Sequence, residues 1–422
     1  MYNPSSGKSQ PEQPIVVHQP MLTIQFLDVG QGDGIFIVFP NDATMLIDLG
    51  STKNKQITGP DLLTYFRNHT RFRDRGQTLD YLILTHGDRD HYNMVEQFLQ
   101  EFAVKVRHYA YGGKREEYGA LINKLENTYG ATPATLQGFN QLAGPFTDAR
   151  IQLPAQLGDQ NLKKEFGDAI VWCWAIGRTP DGGGKRSGYA KNSDSLVLQL
   201  VYSGVRVLLT GDATLDTELA MLAAMQEVNR YPGANVVLNL TSNVLKVAHH
   251  GSTRTSNAPG FIAAVDPEFV FLSADRSGSL DEDERTGHRH PQEITLDIIR
   301  QYARSLYKGC EPHNCVSSYD PEDYSKIGEH ASPQVRANPL LGVPQAIADP
   351  HQAQGWTRGW HMTRTPEGIF TSIIHMGIQD QDPTELAPDF GCQYEVRIFE
   401  NSLIQIFATD GPETVAHQVV VK

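Results

Sequence analysis

Thr85-His86-Gly87-Asp88-Arg89-Asp90-His91 crowds His86, Asp88, Asp90 and His91, all potential metal ligands, into a few residues. The run Leu79 to Leu84 just before it is short and mostly apolar, which predicts a buried strand that delivers His86 at its C-terminal end. Ligand sites in α/β proteins favour such ends. Imidazole and carboxylate together suit divalent first-row metals. Taken alone, the segment also reads as an ordinary charged surface turn.

Further apolar runs end in the same way. Leu208-Leu209-Thr210-Gly211-Asp212 closes with a carboxylate after a glycine, and Lys246-Val247-Ala248-His249-His250-Gly251-Ser252 closes with paired histidines. Thr286-Gly287-His288-Arg289-His290-Pro291 follows the run Phe269 to Ser273. Strand ends that each deliver His or Asp are hard to assemble by chance. A carboxylate between two cations, with His and Asp on either side, is what a two-metal hydrolase needs. Adjacent side chains on a strand point to opposite faces, so one of His249 and His250 is expected to be structural. His288 and His290 share a face if that piece is extended, and either can reach inward.

Residues 1–20 read as a polar, flexible tail. Met21 to Val29 reads as a strand running into the turn Gly30-Gln31-Gly32-Asp33-Gly34; Ile35 to Phe39 and Thr44 to Ile47 follow as an antiparallel start to a sheet. Helical spacing is expected over Asp61 to Asn68, over 92–106, over Leu215 to Glu227 and from Gln292 to about Tyr307. Strands are expected at Ser195 to Tyr202, Val205 to Thr210 and Val244 to Ala248. The less patterned stretch 107–190 reads as an insertion. Its last part is a Gly-rich loop that carries Arg178, Lys185 and Arg186 and runs through Lys191 into Asn192, either a solvated loop or a cationic clamp on a phosphate. Residues 308–355, rich in Pro, Asp, Ser and Gln, read as irregular; beyond them Tyr394 to Phe399 and Leu403 to Phe407 alternate around a turn and predict a hairpin, with a short strand at Val419 to Val421. The expected organisation is a tail over 1–20, a main domain over 21–305, and an irregular segment with a small β-rich extension over 306–422.

The chain has 422 residues and a formal net charge of −13, with 40% hydrophobic residues, so it buries a sizeable core. Acidity argues against a broad nucleic-acid footprint, which usually needs a basic surplus. The cysteines are Cys173, Cys310, Cys315 and Cys392. Cys310 and Cys315 bracket His313, but further ligands at finger spacing are missing, so reduced thiols are expected. No signal peptide or membrane span is legible, and the expected location is cytoplasmic, away from membranes. Asp28, Asp33 and Asp48 read as turn and cap residues, with Asp48 a candidate to support a ligand.

Phe26-Leu27-Asp28-Val29-Gly30-Gln31-Gly32-Asp33, the HxDxDH run, Leu209-Thr210-Gly211-Asp212 and the Val-Ala-His-His-Gly-Ser segment together resemble the metallo-β-lactamase superfamily, and more narrowly the hydrolase domain of ComEC-type DNA-uptake proteins. The resemblance runs from about residue 21 to about 305. It implies a four-layer αββα sandwich, here with a C-terminal β-rich extension, and two divalent metal ions. His86 and Asp88 would hold one ion, Asp90 and His91 the other, and Asp212 would bridge them. His250 or His249, and His290, would complete the set. Asp88 stands where the superfamily more often has a histidine, and Asn192 where another is usual. Both features occur in the ComEC-like branch and leave zinc and manganese open.

The activity implied is that of a phosphodiesterase or nuclease, in which a hydroxide bridging the metals attacks phosphorus. Asp90, His250 and His249 are the expected catalytic groups, and Asn192, Lys185, Arg186 and Ser252 the expected substrate contacts. Hydrolysis of a small ester, lactone or phosphoester is an alternative. A third reading is a regulated effector with latent hydrolase activity, its protein partner meeting the insertion or the C-terminal extension.

Overall fold

The computed structural model describes residues 21–27, 29, 31–52, 76–133, 166–175, 187–229, 239–274, 290, 292, 294–295, 298–299, 327–343, 364–365, 368–369, 372–376, 392–410 and 413–417. Strands β1 (Met21–Phe26), β2 (Gly34–Val38) and β3 (Thr44–Leu49) make an antiparallel meander. Strands β4 (Thr78–Leu84) and β5 (Lys105–Tyr111) continue it in parallel, and the short β6 (Thr132–Pro133) pairs with β5. Helices α1 (Arg89–Tyr92) and α2 (Val95–Glu101) lie between β4 and β5, and α3 (Leu121–Asn127) follows β5.

A second sheet starts with the antiparallel β7 (Ile170–Ala175), β8 (Val197–Tyr202) and β9 (Val205–Leu209), and goes on in parallel through β10 (Val244–Lys246) and β11 (Phe269–Ser273). The five-residue α4 (Gly188–Asn192) precedes β8, α5 (Leu215–Asn229) follows β9, and α6 (Pro259–Val265) follows β10. Both sheets gain strands from the C-terminal part of the chain. After the small pair β12 (Arg364–Thr365) and β13 (Gly368–Ile369), β14 (Ser372–Met376) pairs in parallel with β11. The strands β15 (Cys392–Phe399), β16 (Ile404–Asp410) and β17 (Glu413–His417) add to β1. Among the described residues the orders are β17-β16-β15-β1-β2-β3-β4-β5-β6 and β14-β11-β10-β9-β8-β7.

The period-two alternation of the strands builds the layers. Leu22, Ile24 and Phe26 of β1, Ile35 and Ile37 of β2, and Met45 and Ile47 of β3 meet Leu198, Leu200, Val207, Phe269 and Phe271 of the second sheet in one buried cluster. Phe26 and Phe271 stack across this interior with ring centroids 4.1 Å apart and planes 9° apart. The opposite faces are equally apolar. Phe36, Val38, Leu46, Leu82 and Leu84 pack under Val95, Phe98, Leu99, Leu121 and Leu125. On the other side, Leu208, Leu245, Val270 and Leu272 pack under Leu215, Met221, Leu222, Phe261 and Ile262. Strands buried on both faces read as continuous apolar runs, as these do. The result is a four-layer αββα sandwich.

The structure departs from the sequence expectations in three places. The helix expected over 92–106 ends at Glu101, and Lys105–Tyr111 is strand β5. Its exposed Lys105 and Arg107 alternate with the buried Val106, and this short charged alternation resembles a helical surface. Second, β5 and β7 make 107–190 part of both sheets and not simply an insertion. Third, the expected strand Val244 to Ala248 stops at Lys246, and Ala248–Gly251 forms a tight 3-10 turn. The helix expected at Asp61 to Asn68, the strand at Val419 to Val421, and Cys310, His313 and Cys315 lie outside the described residues.

Candidate metal centre

The ligand candidates converge at one end of the sandwich because β4, β9, β10 and β11 all point their C-terminal ends there. His86 follows β4, and Asp88 is the residue before α1, which carries Asp90 and His91. Asp212 follows β9 after Gly211, whose backbone is left-handed (φ 50°) and whose Cα packs against Thr85 so closely that a Cβ would lie 2.9 Å from it. His249 and His250 both adopt left-handed backbone (φ 48° and 52°). This strained pair of non-glycine residues removes the strand alternation, so both imidazoles turn inward. The expectation that one faces away fails because strand geometry has already ended.

Asp212 is the hub. Its Oδ1 lies 3.3 Å from His91 Nε2, and its Oδ2 lies 3.8 Å from His86 Nε2, 3.7 Å from His249 Nε2 and 3.6 Å from His250 Nε2. His250 Nε2 is also 3.4 Å from Asp90 Oδ2. His290 is buried, with its ring centroid 5.5 Å from that of His249 and 6.3 Å from that of His250. His288 lies outside the described residues, as do Arg178, Lys185, Arg186 and Asp28. Ser252 is buried in the turn after His250, where its carbonyl accepts hydrogen bonds from Ser256 N and Asn257 Nδ2.

The residues behind this hub hold the imidazoles in place. Asp48 is fully buried; its Oδ1 accepts from Thr85 N (2.7 Å), and its Oδ2 accepts from Thr85 Oγ1 (2.6 Å) and lies 2.8 Å from His91 Nδ1. His250 Nδ1 is 2.8 Å from the Ser273 carbonyl, and His249 Nδ1 is 2.6 Å from Thr255 Oγ1. Each Nδ1 contact favours the tautomer whose Nε2 lone pair faces the hub. Beneath them, Lys246 Nζ donates to Asp33 Oδ2 (2.9 Å) and to the Val247 carbonyl, joining the two sheets by a buried ion pair. Sequence reasoning singled out Asp48 as a possible support, but gave no sign of Lys246.

Asp88 and Asn192 form a different neighbourhood. Lys191 Nζ donates to Asp88 Oδ1 at 2.7 Å. With its amide oriented to satisfy both ends, Asn192 donates to Asp88 Oδ2 (2.9 Å) and accepts from His249 Nδ1 (3.2 Å). Asp88 Oδ2 is 3.8 Å from His86 Nε2.

The donors fit a divalent cation. His86, His91 and Asp212 offer atoms within 4.8 Å of one another, and so do Asp90, His91 and His250. His91 Nε2, Asp212 Oδ1 and His250 Nε2 are buried and make no hydrogen bond. Leaving such atoms unpaired costs about 1–3 kcal/mol each, which a cation would offset. The field agrees. Burial opposes charge on Asp212, yet His91 and His250 hold it well below the usual carboxylate range. Burial likewise opposes charge on His91, but Asp212 and Asp48 raise it well above an ordinary imidazole. Burial pushes His86 well down and His249 to about 4, which favours their neutral, ligating form, whereas for His250 burial is outweighed by Asp212 and Asp90, which raise it.

The metallo-beta-lactamase superfamily profile matches residues 27–272, more than half of the chain. The chain belongs to this superfamily. It is 26% identical over 328 residues to "ComE operon protein 3" of Bacillus subtilis (strain 168), covering 72% of this chain and 35% of that protein. It is 30% identical over 124 residues to "Competence protein ComA" of Neisseria gonorrhoeae, covering 29% of this chain and 15% of that one. The chain thus spans about a third or less of these relatives, which bear out the resemblance to ComEC-type proteins. Among solved structures, Igni18, a metallo hydrolase of Ignicoccus hospitalis, aligns with a TM-score of 0.33 and 14% identity over 60% of this chain and 82% of its own. The chain thus carries the fold of this superfamily together with His/Asp groups that could hold a metal ion. Among the described residues, no helix is long and apolar enough to cross a membrane.

Proposed function

We propose that this chain is a phosphodiesterase acting on nucleic acid or a nucleotide, with two positions for divalent zinc or manganese. One observation carries the reading: a buried carboxylate, Asp212, faced on both oxygens by the imidazoles of His86, His91, His249 and His250. His86 and Asp212 would hold one position; Asp90, His91, His250 and Asp212 the other. Bound divalent ions supply Lewis-acid charge for the developing phosphorane and a nucleophile available at neutral pH.

The protein's own groups do the rest. Asp48 and the Ser273 carbonyl fix His91 and His250, so the site needs little reorganisation as charge develops. His249, neutral and braced by Thr255, presents Nε2 where it can exchange a proton with a reacting oxygen. Lys191, about a quarter exposed, pairs with Asp88 at 2.7 Å on the open side of this hub. The names of the relatives refer to competence, which favours a nucleic-acid substrate. The net charge of −13 favours instead a small phosphoester or ester.

The test supplies manganese and zinc separately to the purified protein with single- and double-stranded DNA, RNA, bis-p-nitrophenyl phosphate and p-nitrophenyl esters. Metal-dependent phosphodiester cleavage that disappears in Asp212→Ala and His86→Ala, with both variants folded, is the expected result. Undiminished cleavage in both, or cleavage of carboxylic esters alone, refutes it.

A further inference from the structure

The two halves of the centre are unequal. Of the buried donor atoms that make no hydrogen bond, His250 Nε2 lies beside Asp90, while His91 Nε2 and Asp212 Oδ1 stand between the two halves, since His91 converges both with His86 and Asp212 and with Asp90 and His250. On the other side Asp88 is already engaged through both oxygens, by the Lys191 ammonium at 2.7 Å and by the Asn192 amide at 2.9 Å. Lys191 also reaches the Gly87 carbonyl (3.4 Å). Asp88 is absent from the described groups of three side chains whose donor atoms converge within 4.8 Å. Lys191 sits in the last turn of α4, one residue before the buried Asn192, so the same short helix delivers both groups to Asp88.

We propose that Lys191 is a resident cation of the centre, standing in for much of the charge of a second metal ion. The chain then binds one divalent ion tightly, through Asp90, His91, His250 and Asp212. A second ion beside His86 and Asp88 binds weakly, because it must first break the Lys191–Asp88 pair. This inference rests on the metal-centre reading and sharpens it. Charge-assisted pairs of this kind are about twice as strong as neutral hydrogen bonds, so removing the lysine is expected to tighten the second site by about tenfold or more.

The experiment is a manganese titration of the full chain, read by calorimetry and by electron paramagnetic resonance. The wild type is expected to take up one ion tightly, with a mononuclear spectrum, and a second only at much higher concentration. Lys191→Met is expected to take up two ions with closer affinities and to show an exchange-coupled spectrum. Lys191→Arg, which keeps the charge, is expected to behave as the wild type. Two equally tight ions in the wild type, or an unchanged second affinity in Lys191→Met, overturns the role of the lysine while leaving a metal centre in place. No bound ion in any of these proteins overturns both readings.

Discussion

Asp48→Asn is the sharpest test of how the centre is organised. As a carboxylate, Asp48 presents only acceptors to Thr85 N, Thr85 Oγ1 and His91 Nδ1, at 2.7, 2.6 and 2.8 Å. That contact favours a proton on His91 Nδ1, so that it is Nε2, 3.3 Å from Asp212 Oδ1, that would give up its proton to a cation. An asparagine can keep its oxygen on the Thr85 amide, but then its NH2 faces His91. The imidazole is drawn to the opposite tautomer, with a hydrogen on the nitrogen that should ligate. Thr85 limits part of the damage, because its hydroxyl also lies 3.1 Å from His86 Nδ1 and can reorient. Loss of a partner that orients a ligating histidine costs about 10–100-fold in metal affinity, or roughly 1.4–2.7 kcal/mol. The assay is titration against a competing chelator, with the unfolding midpoint of the metal-free protein followed in parallel to separate affinity from stability. If Asp48→Asn binds metal as tightly as the wild type while His91→Ala does not, the tautomer argument is wrong.

Two stability predictions follow from buried charges. Lys246→Met leaves the buried Asp33 side chain without its ammonium partner, and breaking such a pair from one side costs about 3–5 kcal/mol in denaturant titration; Asp33→Leu combined with Lys246→Met should recover much of the loss. Glu218 accepts from Asn257 N (2.6 Å) and Ala258 N (2.9 Å) at the start of α6, so Glu218→Ala strips two buried amides of their acceptor, at about 1–3 kcal/mol each. Burial raises the Glu218 carboxyl to about 8, so the native state holds this proton more tightly than the unfolded chain. Its contribution is therefore complete below about 4.5, the ordinary glutamate value, and is lost as the pH rises through about 8. Unfolding midpoints measured across that window should converge between wild type and Glu218→Ala as the pH rises.

What was legible in the sequence was whatever depended on neighbours along the chain. Each apolar run capped by His or Asp signals a buried strand and the ligand at its end, and this places His86, Asp212 and the His249–His250 pair. The supporting contacts were less legible because their partners are remote in sequence. Asp48 and His91 are 43 positions apart, Lys191 and Asp88 are 103 apart, and Lys246 and Asp33 are 213 apart. The inward turn of both His249 and His250 depends on left-handed backbone, which non-glycine residues adopt only when surrounding contacts impose it. Strand β5 was hidden for a different reason: four of its seven residues are charged or aromatic, and this alternation is too short to separate from the helix before it.

Strand β1 lies between β2 and β15, with Met21 opposite Phe399. The ligand candidates of the centre, from His86 to His290, are therefore all synthesised before the strand that covers the outer side of β1. Pairing across so long a stretch of chain is slow, because the loop entropy must be spent before the contact forms. During that interval the backbone groups of β1 stand open to any passing strand, and the emerging chain is exposed to mispairing with its own copies.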